Sequence, residues 1–228
     1  MAQPAFSGVR ALIFDLDGTL IDSKLDLILS VNAMLRQLGR SELPEDTISG
    51  YIGRGAPVLV AKALGVDASE DECRHGLEYF LAYYEEHKMD NTRLYPGVAE
   101  ALYCLGQVPM AVLTNKPVRI SVRILEALGL GRKFRAIYGG NSFTTKKPDP
   151  LGAQTILREL GIPAGQAMVI GDSEVDVQTA RNAGTLAAIV NYGFGVYDRE
   201  THPADLYLDR LTELVPQLGI HANNQSSA

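Results

Sequence analysis

Apolar residues along this chain fall into short continuous runs, separated by stretches in which they recur every three to four positions. Residues 11–14, Ala-Leu-Ile-Phe, offer no polar face and predict a strand buried on both sides. Runs at 109–113, 167–170 and 186–190 have the same character, and more mixed runs at 134–138 and 205–208 are read as further strands. Helical patterns with start and stop signals lie between them. Pro96 opens one and Gly106 closes it. Pro117 opens the next, with Val122, Leu125 and Leu128 before Gly129. Pro150 opens a third, with Ile156, Leu157 and Leu160 before Gly161. Proline at the first helical position and glycine just past the last is the expected asymmetry. Strands alternating with helices predict an α/β fold, a doubly wound parallel sheet with a Rossmann-like core.

The interval from about 24 to 91 breaks the alternation and reads as helices only. Leu25, Ile28, Val31, Leu35 and Leu38 form an apolar stripe that stops at Gly39. A long helical pattern spans about 70–87. The expected organisation is a core of residues 1–22 and 92–228 with a helical insertion, residues 23–91, between its first and second strands. No internal repeat is visible, and the polar tail, 221–228, is expected to fray.

Size and composition narrow the function classes. The 228 residues can bury a full core, 46% are apolar, and 27 acidic residues against 21 basic ones leave a net charge of −6. No basic cluster stands out, which argues against nucleic acid or an anionic membrane as partner. Cys73 and Cys104 match no metal spacing and read as free thiols in a reducing compartment. The histidines at 75, 87, 202 and 221 are too scattered for a zinc site. Gln3, Pro4 and Ser7 stand where a leader peptide would need an apolar core, and no run reaches the length of a membrane span. A cytoplasmic protein is the expectation.

Candidate chemistry sits at the ends of the apolar runs. The first run leads into Asp15-Leu-Asp17-Gly18-Thr19. Two carboxylates at the end of a buried strand repel and are poorly solvated, and a divalent cation is the simplest remedy. The second run ends in Thr114-Asn115-Lys116-Pro117, a hydroxyl and free backbone N–H groups at a helix start, suited to an anion. Lys147 precedes a proline and is therefore held on extended backbone. A third run ends in Gly171-Asp172-Ser173, with Asp176 four residues after Asp172. Taken singly, each group has a structural explanation: a turn, a helix cap, solvated lysines, a capping box of Ser173 and Asp176. Together they place carboxylates, anion donors and a lysine on one sheet edge. That inventory suits phosphoryl transfer.

In these motifs the chain resembles the haloacid dehalogenase superfamily on its phosphatase side, over nearly its whole length. Asp15-Leu-Asp17-Gly18-Thr19, Thr114, Lys147 and Gly171-Asp172 to Asp176 are similar to its four motifs, and the helical insertion is similar to its cap domain. Leu113-Thr-Asn-Lys-Pro117, Lys146-Lys-Pro-Asp-Pro150 and Tyr51-Ile-Gly-Arg-Gly55 resemble the phosphoglycolate phosphatases most. Val175, Gly152 and Lys24 depart from the usual pattern, where asparagine and two prolines are common. The resemblance implies a phosphatase for a small phosphate ester, with 2-phosphoglycolate the leading candidate. It implies Asp15 as nucleophile, Asp17 as general acid and base, and Mg²⁺ on Asp15, Asp172 and the Asp17 carbonyl, with Asp176 behind them. Thr114, Asn115 and Lys147 would hold phosphoryl oxygens, and Arg54 and Lys116 are candidates for a substrate carboxylate. A sugar phosphomutase is the nearest rival, and Thr19 favours the phosphatase. A non-catalytic relative would be expected to have lost one of Asp15, Asp17, Lys147 and Asp172. A dehalogenase would lack the acid at position 17.

Overall fold

The computed structural model describes residues 5–195 and 197–220. Gln3, Pro4 and the polar tail from 221 lie outside the described residues. Among those described, no helix is long and apolar enough to cross a membrane.

Six strands form one parallel sheet: β1 (Ala11–Phe14), β4 (Met110–Leu113), β5 (Ala136–Tyr138), β6 (Ala167–Gly171), β7 (Leu186–Val190) and β8 (Leu206–Leu208). Their order across the sheet is β5-β4-β1-β6-β7-β8. The alternation of side chains along each strand sends apolar groups to both faces. Leu12, Phe14, Met110, Val112, Met168 and Ile170 pack on one side, under α5 (Val98–Cys104), α6 (Val118–Ala127) and α9 (Leu214–Gln217). Ala11, Ile13, Ala111, Leu113 and Val169 pack on the other, under α7 (Leu151–Leu160) and α8 (Glu174–Ala183). Each of the six runs identified as a strand is one. The helix-opening prolines sit slightly earlier than expected. Pro117 and Pro150 are the N-cap residues, and Pro96 precedes a Gly97 N-cap.

Between β1 and α5 the chain makes four further helices, the insertion: α1 (Lys24–Gln37), α2 (Glu45–Ser49), α3 (Ala56–Leu64) and α4 (Glu70–His87). They enter and leave through a two-stranded antiparallel ribbon that the sequence pattern did not announce, β2 (Ile21–Asp22) and β3 (Arg93–Leu94). Asp26, buried in the first turn of α1, ties the two crossings together. Its carboxylate accepts from the Asn91 and Thr92 backbone N–H groups (3.0 and 2.8 Å) and from the Thr92 hydroxyl (2.7 Å). The stripe on α1 also differs from the expectation. Leu25 is 40% exposed, while Leu27, Ile28, Val31, Met34 and Leu35 are buried. The buried face is therefore rotated, because α1 packs on α2, α3 and α4. Helix α4 starts at a Ser69–Glu72 capping box and buries Gly76, Phe80 and Tyr84, one position every four residues.

Candidate active site

The three central strands finish together. Phe14 pairs with Val112 on one side and Ile170 on the other, so β4, β1 and β6 end within one residue of each other. Asp15, Thr114 and Asp172 are the first residues beyond those strands. This is the carboxyl edge of an open parallel sheet, where backbone groups run out of strand partners and ligand sites form. Backbone bonds from Asp15 to Ile170 (2.8 Å) and from Thr114 to Tyr138 (3.0 Å) hold two of these positions in line.

The carboxylates are drawn together rather than spread. One oxygen each of Asp15, Asp172 and Asp176 lies within 4.8 Å of the other two. Lys147 inserts its ammonium between two of them, 2.9 Å from Asp15 Oδ1 and 2.6 Å from Asp176 Oδ1. Lys147 is the one cation against Asp15 Oδ1, and no other side chain or backbone group among the described residues donates to that oxygen. Asp176 also closes the expected capping box, accepting at Oδ2 from the Ser173 hydroxyl (2.7 Å). Asp172 Oδ2 accepts from the backbone N–H groups of Phe194 and Gly195 (3.0 and 2.7 Å). Gly18 makes this crowding feasible. Its φ is +80°, and a Cβ there would stand 1.9 Å from Asp172 Oδ2.

Asp17 faces the other way. Its carboxylate accepts from Lys116 Nζ at 2.8 and 2.9 Å and from the Ser23 hydroxyl at 2.5 Å. The Lys116 ammonium also stands over the Tyr84 ring, 4.5 Å from its centre. Four carboxylates against two ammonium groups leave a formal excess of two negative charges. That excess and an all-oxygen donor set fit a hard divalent cation held among Asp15, Asp172 and Asp176.

Electrostatics follow from this packing. Burial, then Asp176 and Asp17, push the Asp15 carboxyl from 3.8 up to about 6 against the opposing pull of Lys147. Burial, with Asp176 and Asp15 adding to it, raises Asp172 well above the usual carboxylate range. Burial alone would lower Lys147, but Asp15 and Asp176 outweigh it and raise the ammonium's pKa. Burial likewise opposes the charge on Lys116, and Asp17 and Tyr84 carry it up to about 12. Burial pushes the Tyr84 phenol up to about 12, against the lowering effect of Lys116.

The Asp15 shift has a thermodynamic sign. Between 3.8 and about 6 the folded protein keeps a proton on Asp15 that the unfolded chain has released. Stability of the metal-free protein therefore falls as pH rises through that window, by up to about 1.4 kcal/mol per pH unit for one such proton. Thermal unfolding in chelator from pH 4 to pH 7 should show a steeper decline for the wild type than for Asp15→Asn. Parallel curves would contradict the assignment.

The helical insertion covers this edge. Its 51–55 loop is pinned to the core at three points. Asn115 Nδ2 donates to the Gly53 carbonyl (3.0 Å), Lys146 Nζ donates to the Arg54 carbonyl (2.9 Å), and the Arg54 guanidinium pairs with Glu174 (2.7 Å). A cavity of about 40 Å³ remains between the two parts. Asp15, Asp17, Thr114, Asn115 and Lys116 line it from below, and Leu59, Phe80 and Tyr84 are among the insertion residues above.

The sequence matches the family described as haloacid dehalogenase-like hydrolase over residues 12–190. The chain belongs to that family. It is 41% identical over 219 residues to a phosphoglycolate phosphatase of Pseudomonas savastanoi pv. phaseolicola, covering 91% of this chain and 79% of the relative. It is 38% identical over 212 residues to a phosphoglycolate phosphatase of Chromobacterium violaceum, covering 90% and 95%. A crystal structure described as a predicted phosphoglycolate phosphatase from Haemophilus somnus 129PT superposes with a TM-score of 0.86 at 30% identity, over 92% of this chain and 97% of that one.

In this hydrolase the residues singled out from sequence mostly converge, but three make contacts that the linear motifs did not announce. Lys116 is bound to Asp17. Asn115 spends its amide on the Gly53 and Lys147 carbonyls, the latter at 3.1 Å, and so braces two loops. Arg54, whose side chain is 55% exposed, lies on Glu174 and does not line the cavity. Ser23, Tyr84 and the Phe194–Gly195 backbone were not singled out. For Tyr84 there was a signal: a tyrosine at the end of a buried i, i+4 stripe carries a polar tip that needs a partner.

Proposed function

We propose that this hydrolase is a Mg²⁺-dependent phosphatase for a small phosphate monoester, 2-phosphoglycolate, working through an aspartyl-phosphate on Asp15. The observation that carries the reading is the buried Asp15–Lys147–Asp176 cluster at the sheet edge, with Asp17 beside it. The names borne by relatives at 38–41% identity support the choice of substrate. Asp15 attacks phosphorus and the ester oxygen departs, taking a proton from Asp17. Asp17 then accepts a proton from the water that cleaves the acyl phosphate, which restores both aspartates. Thr114 accepts from the Lys116 backbone N–H at Oγ1 (3.3 Å), which leaves its hydroxyl proton for a phosphoryl oxygen. Lys147 neutralises charge gathering on the transferred group. Asp15, Asp172 and the Asp17 carbonyl, with Asp176 behind them, would hold Mg²⁺, which would supply positive charge against the repulsion between Asp15 and phosphate.

In this reading residues 23–91 act as a cap on a core of 1–22 and 92–228, and closure of the cap excludes bulk water. A cytoplasmic location accords with the free thiols of Cys73 and Cys104. The test is phosphate release from a panel of small esters, with and without chelator. The expected result is the highest kcat/KM for phosphoglycolate and a loss of at least about a hundredfold in excess chelator, reversed by Mg²⁺. Undiminished turnover in chelator overturns the metal requirement, and a flat substrate profile overturns the choice of ester.

A further inference from the structure

The cavity under the insertion carries two donors that the phosphoryl chemistry leaves unused. Tyr84 is 1% exposed, its hydroxyl is fully buried, and that hydroxyl has no hydrogen-bond partner. A buried phenol normally finds one. Lys116 Nζ, whose side chain is 3% exposed, spends its hydrogen bonds on the two Asp17 oxygens. An ammonium has three N–H groups, so at least one is left over. Lys116 and Tyr84 are in contact, ammonium over ring, and both line the cavity that Asp15 and Thr114 also line. Around them the insertion contributes Leu27, Ile52, Leu59, Phe80 and Leu81. A charge-assisted donor and a neutral donor side by side against apolar surroundings suit one compact anionic group with at least two acceptor oxygens.

We propose that Lys116 Nζ and the Tyr84 hydroxyl form a carboxylate-binding subsite for the leaving-group end of the substrate. The subsite rests on the phosphatase reading above, and it assigns the selection of an acidic ester to this pair. Arg54, the other cation considered for that task, is held outside the cavity by Glu174. The small volume adds a size limit. About 40 Å³ holds only a few waters, so the leaving group that fits between Asp15 and Tyr84 with the loop pinned is short. The burial that pushes the Tyr84 phenol up to about 12 keeps it a hydrogen-bond donor at working pH.

Tyr84→Phe tests this, since it removes a hydroxyl that has no hydrogen-bond partner among the described residues and keeps the ring beneath Lys116. Two non-hydrolysable compounds serve as probes, 3-phosphonopropionate and propylphosphonate, which differ in a carboxylate against a methyl group. Calorimetric titration into the Mg²⁺-loaded wild type should give tighter binding of 3-phosphonopropionate. Tyr84→Phe should weaken that compound about ten- to a hundredfold and leave propylphosphonate within about twofold. Phosphoglycolate hydrolysis by the variant should show the loss in KM, with kcat little changed. Lys116→Met also disturbs Asp17 and should lower turnover on every ester. Its specific signature is the loss of the wild-type preference between the two phosphonates. A wild type that prefers 3-phosphonopropionate while both variants keep the preference overturns the subsite and leaves the phosphatase reading intact. A wild type that does not distinguish the two compounds overturns the subsite and the acidic ester together. Unfolding temperature of Tyr84→Phe should match the wild type, and a drop would give the hydroxyl a structural partner and overturn the subsite.

Discussion

Asp15→Asn is expected to reduce phosphate release by at least about a thousandfold while leaving the fold intact. An amide has nearly the shape of a carboxylate but lacks its nucleophilicity, so the acyl phosphate cannot form. Structure gives the variant a second signature of opposite sign. Asp15 is a buried carboxylate facing Asp172 and Asp176 within 4.8 Å, and its pKa is driven up to about 6 by burial and by its acidic neighbours. Above that pH the wild type carries a charge that the metal-free fold accommodates poorly. The neutral amide removes that penalty. Metal-free Asp15→Asn should therefore unfold at a higher temperature than metal-free wild type at pH 7.5, and the difference should shrink toward pH 4. Activity lost together with a lower unfolding temperature at pH 7.5 would point to a damaged fold and not a missing nucleophile. Turnover above about a tenth of wild type would remove Asp15 from that role.

Lys147→Met carries the largest expected cost in stability. The Lys147 ammonium is the counter-ion of both Asp15 and Asp176, at 2.9 and 2.6 Å, and its side chain is 2% exposed. Methionine fills the space of the stem but leaves the acidic cluster without its cation. Removing one partner of a buried ion pair costs about 3–5 kcal/mol, because the remaining charge has neither water nor a partner. The loss has a pH dependence with a definite sign. Lys147 favours the ionised form of Asp15, so without it the aspartate's pKa moves further up and protonation relieves the repulsion at lower pH. Urea unfolding in chelator should show the full deficit at pH 8 and a smaller one near pH 5. Divalent cation should recover part of it at pH 8, since it replaces some of the missing positive charge. A deficit below about 1 kcal/mol at pH 8 would mean that the cluster is already neutral without the lysine. The variant should also lose most of its turnover, because a neutral side chain cannot offset charge on the transferred phosphoryl group.

What the sequence determined by itself is local, and it reaches far. Continuous apolar runs cannot leave a face in water, so 11–14, 109–113, 167–170 and 186–190 had to be strands covered on both sides, and they are. Strand ends carrying Asp15, Thr114 and Asp172 then fall on one edge, because parallel strands all point the same way. The long α4 pattern and the Ser173–Asp176 capping box are equally local, set by side-chain spacing along one helix turn. Tertiary structure decided the partners. Nothing in the linear motifs says that Lys147 divides itself between Asp15 and Asp176, or that Lys116 binds Asp17 across 99 positions. Ion-pair choice depends on where buried ammonium groups arrive, and that is set by how the loops after β4 and β5 pack. The rotation of α1 that exposes Leu25 is of the same kind, since helical periodicity names a stripe but the neighbours choose its centre. So are Arg54 on Glu174, 120 positions away, and the unpartnered Tyr84 hydroxyl, brought by a helix from the insertion over an edge built by the core.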